Sequence, residues 1–374
     1  MLTRPERLVA AAAASVLVLG LVSTSYAGTQ TPVTNAAEVS PLPTESPSAA
    51  PTVGPVTPSA KPSPKATKRV ERGALPAKAA MPTPPQAGCP VPTKHPRSWT
   101  PKPLKPPKVA DSALPAPRAR GPKAKDLDAI TGKGIWITNW ANDDVDVAGI
   151  VAKAKAAGLS SIWVRSGGSK QGYYGGPVLR ELVPAAHRAG IKVIAWDFPF
   201  LSDPMADAAR AKQALATGID AFAPDVETSA EGTYATTRRV QLYLSVVRSY
   251  AGDRPIAATV PRPTPKRLAS FPYAAFAPYA DVFVPMVYWS CNEPGLLVQQ
   301  SLQRLGRWLP VAPVGQAYDM RTDGGRAGIP SRAETWRFLD SARRGGAVGA
   351  SLWTMEKIGA GQWSALSAYP WLRR

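Results

Sequence analysis

The sequence predicts an α/β protein built as a (β/α)8 TIM barrel, and three observations carry that expectation. From about residue 133 onward, short runs rich in β-branched and aromatic residues alternate with Ala-, Leu- and Arg-rich runs of helical character. The alternation recurs at roughly thirty-residue spacing, the length of a strand plus a crossover helix. Two helical runs end on Ala157-Gly158 and Ala189-Gly190, with glycine where a helix C′ residue turns left-handed.

Taken in order, strands are expected at 134–140, 161–165, 192–198, 219–226, 256–260, 281–288, 311–316 and 347–353. Helices are expected at 147–157, 177–189, 205–217, 235–250, 296–308 and 332–344. Each strand but the last is followed by a crossover. The fifth crossover, 261–280, is Pro-rich and only weakly helical, so it is expected to be irregular. Eight strands in roughly 240 residues fit the usual size of such a barrel. The runner-up is an open doubly wound sheet. Against it, no G-x-G-x-x-G and no G-x-x-x-x-G-K-[ST] follows a strand. Gly167-Gly168-Ser169-Lys170-Gln171-Gly172 matches neither motif and reads as a flexible loop after the second strand.

The chain of 374 residues divides into three expected parts. Residues 1–27 read as a signal peptide: Arg4 and Arg7, then an apolar run from Leu8 to Val22, then Ser25-Tyr26-Ala27 as a small-x-small cleavage site. Cleavage after Ala27 and export to an extracellular or cell-wall location are expected, with an uncleaved anchor as the alternative. Residues 28–125 are rich in Pro, Ala, Thr, Ser and Lys, with too little apolar surface to offset ordering entropy. They read as a disordered, extended tether that the fold can do without. Residues 126–374 are the barrel, expected as a monomer.

Composition narrows the function. The formal net charge is +19, about half of it carried by the tether. No basic helix with interleaved aromatics and no nucleic-acid motif is present, so nucleic acid is not the expected partner. Outside a cell the commoner anions are wall polymers and acidic lipids, and the charge also serves plain solubility. The two cysteines, Cys89 and Cys291, are too few and too far apart for a zinc site, and in an exported protein they would pair. Such a bridge would pin the tether to the barrel. The two histidines, His95 in the tether and His187 within a helix, are not at strand ends, which argues against a Ser or Cys triad and against metal catalysis. No cofactor and no metal are expected.

In a barrel of this kind the site lies at the carboxyl ends of the strands. Those ends collect Asn139 and Trp140, Arg165 and Ser166, Trp196 and Asp197, Asp225 and Glu227, Tyr288 and Trp289, Gln316 with Tyr318 and Asp319, then Trp353 and Glu356. Acids beside exposed aromatics suit carbohydrate, because rings stack on sugar faces and carboxylates handle the glycosidic oxygen. The organising stretch is Asp220-Ala221-Phe222-Ala223-Pro224-Asp225-Val226-Glu227. Alternate residues of a strand share a side, so Asp225 and Glu227 project together with Cβ atoms about 6.6 Å apart. Two carboxylates at such a separation can divide the acid and base work on a glycosidic bond. Asp197 and Tyr288 are added as groups that hold substrate or assist an attacking water. Trp140, Trp196, Trp289, Trp353, Arg165, Gln316 and Asp319 are expected to bind substrate. Trp136 and Trp163, earlier in their strands, are expected in the core.

Gly134-Ile135-Trp136-Ile137-Thr138-Asn139-Trp140 resembles the opening G-I-D-V-S-x-W of the family 25 glycoside hydrolases, the lysozyme-like muramidases. Ala195-Trp196-Asp197-Phe198 is similar to their A-Y-H-F, Pro224-Asp225-Val226-Glu227 to their L-D-V-E, and Leu352-Trp353-Thr354 to their W-Q-Y. A weaker resemblance is to family 18, the chitinase-like barrels with D-x-x-D-x-D-x-E. Asp220, Asp225 and Glu227 fall in that register, Ala223 replaces one Asp, and Val284-Pro285-Met286-Val287-Tyr288 is similar to their M-x-Y. The departures are Trp136 in place of the muramidases' first-strand Asp and Gly167-Gly168 in place of their E-G. The resemblance implies Glu227 as general acid and Asp225 as its electrostatic and orienting partner. It also implies that the sugar's acetamido group can assist, so no separate protein nucleophile is needed. The function expected is a secreted hydrolase of a polysaccharide, of the cell wall in one version. The alternative is a barrel that binds glycan without cleaving it.

Overall fold

The computed structural model describes residues 104–107, 109–138, 146–323 and 325–371. The expected signal peptide, most of the expected tether, Cys89, Asn139 and Trp140 lie outside the described residues. The strands are β1 Gly132–Ile137, β2 Ser161–Gly168, β3 Gly172–Tyr173, β4 Lys192–Phe198, β5 Ala221–Pro224, β6 Ala257–Pro261, β7 Val282–Val287, β8 Val314–Gln316 and β9 Gly349–Trp353. The helices are α1 Val147–Ala156, α2 Gly176–Arg188, α3 Pro204–Leu215, α4 Thr237–Ala251, α5 Pro265–Ser270, α6 Pro294–Leu305, α7 Arg332–Arg344 and α8 Ala360–Ala368. Setting aside β3, the strands lie parallel in the order β5-β4-β2-β1-β9-β8-β7-β6. Parallel bridges Phe222 to Ile256 and Asp225 to Thr259 close β5 onto β6, which completes a (β/α)8 barrel.

Three details differ from the sequence-based expectation. The glycine-rich loop after β2 folds back as β3, pairing antiparallel with the end of β2, so it is a short hairpin. The fifth crossover does contain a helix, the six-residue α5, capped by the Thr264 side chain and followed by a 3-10 turn at Tyr273–Ala275. A helix, α8, also follows the last strand. Gly158 and Gly190 take φ of +60° and +73°, the left-handed conformation that ends α1 and α2.

Strand alternation divides the apolar residues between two cores. Ile135, Val193, Phe222, Val260, Phe283 and Leu352 face outward into the layer shared with the helices. Trp136, Trp163, Ile194, Trp196, Val284 and Val314 face inward and fill the lumen. The inner tryptophans form a stack. Trp136 lies 4.6 Å from Trp163 and 5.6 Å from both Trp196 and Trp353, centroid to centroid. Three of the stacked indole N–H groups have acceptors: Ser351 Oγ for Trp136 (2.8 Å), Ser161 Oγ for Trp163 (3.0 Å) and the Ile137 carbonyl for Trp196 (3.1 Å). At the opposite end, buried Lys133 donates to the carbonyls of Ala157 (3.1 Å), Tyr369 (3.0 Å) and Leu366, tying the ends of α1 and α8 together.

Residues 104–107 and 109–125 correct the expected extent of the tether. They run as a strap beside α4 and onto the start of β7. Tyr234 Oη donates to the Lys105 carbonyl, Arg239 Nε reaches Asp111 Oδ1 at 2.7 Å, and Arg238 Nη2 reaches the Leu114 carbonyl at 2.8 Å. Farther along, the Arg118 amide donates to Ser245 Oγ (2.9 Å) and the Ala124 amide to Asp281 Oδ1 (3.1 Å). Leu114 is buried. Composition hides this strap because its contacts are mostly backbone and charge rather than apolar area. Removing residues 28–103 should leave the melting temperature of the barrel nearly unchanged. Extending the deletion to residue 120 should lower it by roughly 10 °C or more. That deletion exposes the site of a buried Leu, worth about 2 kcal/mol, and takes the Asp111 counter-charge from the buried Arg239 guanidinium. Scanning calorimetry of the two truncations checks this.

Candidate active site

The two carboxylates of β5 emerge as alternation dictates. Ala221 and Ala223 face the lumen, so Asp225 and then Glu227 continue on the inward side at the carboxyl end. Asp225 is held at its backbone on both sides: its amide donates to the Asp197 carbonyl (2.9 Å), and the next amide, of Val226, donates to the Thr259 carbonyl (3.0 Å). The chain then turns on a capping box, in which the Thr228 amide donates to Glu231 Oε2 (3.1 Å) and Thr228 Oγ1 accepts from the Ala230 amide (3.2 Å). This turn fixes the direction in which Glu227 leaves the strand.

The electrostatics are those of acids placed out of water with little compensation. Asp225 is buried, and its Oδ1 has no hydrogen-bond partner among the described residues. Burial raises its carboxyl above the ordinary range; the Arg165 guanidinium opposes this, and the charges of Asp197 and Glu231 add to it. Glu227 is half-buried and raised well above its ordinary value, first by burial, then by the negative charges of Asp225 and Glu231. Arg267 draws it down and Asp323 pushes it up. Tyr288, inward on the extension of β7, lies with its phenol among the same charges, and burial followed by Tyr318, Asp225 and Glu227 keeps it protonated. Tyr318 meets Tyr288 edge-on at 5.7 Å and donates from its Oη to Asp323 Oδ2 at 2.7 Å. Thr259, buried and bridged to Asp225, also has an Oγ1 with no hydrogen-bond partner among the described residues. A carboxyl that retains its proton toward neutrality, beside a second carboxyl and two phenols, can donate that proton to a leaving oxygen.

The structure separates the other expected site residues. Trp353 is half-buried at the mouth, its ring 5.1 Å from that of Trp196. Arg165 faces inward, its guanidinium 5.0 Å from the Trp196 ring. Trp196 itself is core, 2% exposed. Asp197 is corrected: it faces outward from β4 and is bound by Arg210 of α3, with Nη2 at 2.9 Å and Nε at 3.2 Å. Burial, offset by Arg210, brings its carboxyl to about 6. Trp289 is corrected too, since it packs fully buried against Phe338 of α7. Gln316 is fully buried, and its amide bridges two loops, accepting from the Ser290 amide at 2.8 Å and donating to the Tyr318 carbonyl at 3.0 Å. Asp319 is ion-paired with Arg321 at 2.7 Å, which holds its carboxyl down to about 2. Asp220 lies at the far end of the barrel, accepting from the Val193 amide and pairing with His187 and Lys192. Cys291 lies just beyond β7 in an exposed turn, while its expected partner Cys89 is outside the described residues. Thr259, Glu231, Arg267 and Asp323 join the site without having been singled out, beside Tyr318, which was expected at a strand end. Alternation from Ala257 would have found Thr259; the others depend on loop geometry.

Among the described residues no group of three His, Cys, Asp or Glu side chains could hold a metal ion, and no helix is long and apolar enough to cross a membrane. No family model matches the chain, and a search of the curated proteins finds no match. Solved structures similar to it include a chitinase from Chromobacterium violaceum ATCC 12472, at 11% identity over 64% of this chain and 100% of that one, with a TM-score of 0.49. The spore cortex-lytic enzyme SleL of Bacillus cereus is similar at 10% identity over 64% and 74% of the two chains, TM-score 0.48. A GH113 beta-1,4-mannanase is similar at 13% identity over 64% and 97%, TM-score 0.49. At such identities and scores the likeness says nothing about this chain's site.

The buried charge of Asp225 makes a stability prediction. A carboxyl raised by folding binds its proton more tightly in the native state, so the parent loses stability as pH rises above about 4, the ordinary Asp value, toward neutrality. Asp225→Asn cannot ionise and escapes that loss. Its melting temperature relative to the parent should therefore become progressively more favourable between pH 4 and pH 8. A flat or opposite trend in paired thermal scans would show that Asp225 is not a desolvated charge.

Proposed function

We propose that the chain is an exported glycoside hydrolase that cleaves a polysaccharide, with Glu227 as the general acid. The observation that carries this reading is the Asp225–Glu227 pair at the carboxyl end of β5, one carboxyl buried with an unpartnered oxygen, the other raised well above the ordinary range. Protonated Glu227 delivers its proton to the glycosidic oxygen as the bond breaks. Asp225, charged or sharing the proton, stabilises positive charge developing on the sugar, and its Oδ1 accepts from a substrate N–H or O–H. Tyr288 and Tyr318 add phenolic donors, and Trp353 offers a ring to a sugar face. The resemblance to the muramidases and chitinase-like barrels supports an N-acetylated sugar whose acetamido oxygen assists, and cell-wall glycan is the substrate most consistent with export. The signal peptide, the cleavage after Ala27 and the Cys89–Cys291 bridge belong to the same proposal.

Glu227→Gln should lower turnover of a responsive glycan by about 10² to 10⁴, because Gln keeps the shape but cannot give the proton. Binding should change far less, since the proton moves only in the transition state. Hydrolysis assays and calorimetric titration of parent and variant decide it. Equal cleavage by the two removes Glu227 from the acid role. A parent that binds glycan through Trp353 and never cleaves it supports the binding-module alternative instead.

A further inference from the structure

Beside the carboxylates, at the end of β6, three arginines share one short piece of backbone. Arg262 follows directly on Pro261, the last residue of β6, the strand whose Thr259 bridges to Asp225. Arg267 of α5 reaches back with Nη1 toward the Arg262 carbonyl at 3.5 Å. Arg304 of α6 donates from Nη1 to the next carbonyl, that of Pro263, at 2.8 Å. All three side chains belong to half-buried residues. The Arg262 guanidinium makes no hydrogen bond to a described group, and none of the three lies in an ion pair with a described carboxylate, while Arg210, Arg239, Arg248 and Arg326 each do. Burial and the charges of Arg267 and Arg304 together make protonation of Arg262 less favourable than usual, and Arg267 is close enough to Glu227 to draw its carboxyl down.

Half-buried like charges held together without an ion-paired carboxylate cost stability, and an anionic ligand would relieve that cost. Arginine forks suit a pair of oxygens of a carboxylate or phosphate, which they bind bidentately. We propose that Arg262, Arg267 and Arg304 form an anion subsite at the edge of the candidate active site, taking a carboxylate or phosphate substituent carried by the glycan. The proposal rests on the hydrolase reading for the glycan, and on the arginines alone for the anion. It makes the substrate an acidic polysaccharide and assigns the recognition of its charge to the β6–α5 side of the mouth.

The test uses the full chain carrying Glu227→Gln, with and without Arg262→Gln, and with Arg262→Lys as a charge-retaining control. Three oligosaccharides of equal length are titrated: a neutral β-1,4 N-acetylhexosamine oligomer, its counterpart with a lactyl ether carboxylate on alternate sugars, and a 6-O-phosphorylated counterpart. At least one anionic oligomer should bind about tenfold or more tighter than the neutral one. Arg262→Gln should collapse that ratio, Arg262→Lys should restore part of it, and added salt should compress it. Whichever anionic arm shows the preference identifies its source. An anionic-to-neutral ratio that Arg262→Gln leaves unchanged, or a ratio near one in the parent, overturns the subsite. Parent turnover of the neutral oligomer keeps the two claims apart. Turnover without an anionic preference overturns the subsite alone; no turnover of any of the three, with an Arg262-dependent anionic preference, overturns the hydrolase and leaves the subsite standing.

Discussion

The packing of four indoles inside the barrel is the constraint on which the rest depends. Trp136, Trp163, Trp196 and Trp353 occupy one side of the lumen in mutual ring contact. Such bulk fits because small residues stand around it. Gly134 admits no Cβ, since one would lie 2.7 Å from the Trp163 indole nitrogen, and Ala221, Ala223 and Ala257 supply the inward positions of β5 and β6. This distribution also fixes the phase of β1, β2, β4 and β9, because a one-residue slip would drive an indole into the helix layer and an aliphatic side chain into the lumen. Once Ala221 and Ala223 are inward, Asp225 and Glu227 have nowhere else to point.

The same phase gives two aspartates on neighbouring strands opposite fates. Asp197 and Asp225 both sit at strand ends, and the Asp225 amide donates to the Asp197 carbonyl. Asp197 points outward, where two arms of the Arg210 guanidinium satisfy it and Asp207 completes the network. Asp225 points inward, where Arg165 gives only partial compensation and one oxygen is left without a partner. An unsatisfied buried acceptor costs about 1–3 kcal/mol. Stability alone would remove such a feature, and a bound ligand would use it. Burial first, and then the charge of this uncompensated neighbour, raise the proton affinity of Glu227, so the two acids act as one unit.

Much of this was legible in the sequence, and the part that was not has physical causes. The barrel, the strands near 161, 192 and 282, the C′ glycines, and the joint projection of Asp225 and Glu227 follow from periodicity and short-range geometry. Trp196 with Asp197, and Tyr288 with Trp289, were each assigned to the cleft as neighbours, although period two allows only one of each pair to face it. Alternation from Ile194 and from Val284 selects Trp196 and Tyr288 for the inner side, and depth then makes Trp196 core. The surroundings of Gln316 and Asp319 were not legible for a different reason: their partners, Ser290, Tyr318 and Arg321, come from loop conformations that no pattern in the chain announces. The strap at 104–125 escaped because Pro- and Lys-rich composition signals weak self-association, while this segment is ordered by acceptors and donors on α4 and β7.

The central claim is that β5 holds a carboxyl protonated toward neutral pH by burial beside a second carboxyl. The most direct measurement is a carbon-13 NMR titration of the Glu and Asp carboxyls in the ligand-free full chain, with the Glu227 resonance assigned by its loss in Glu227→Gln. A Glu227 carboxyl whose transition lies well above the ordinary Glu value, and moves down in Asp225→Asn, is the predicted result. A Glu227 carboxyl that titrates near 4.3, the ordinary value for Glu, and ignores Asp225 would contradict it.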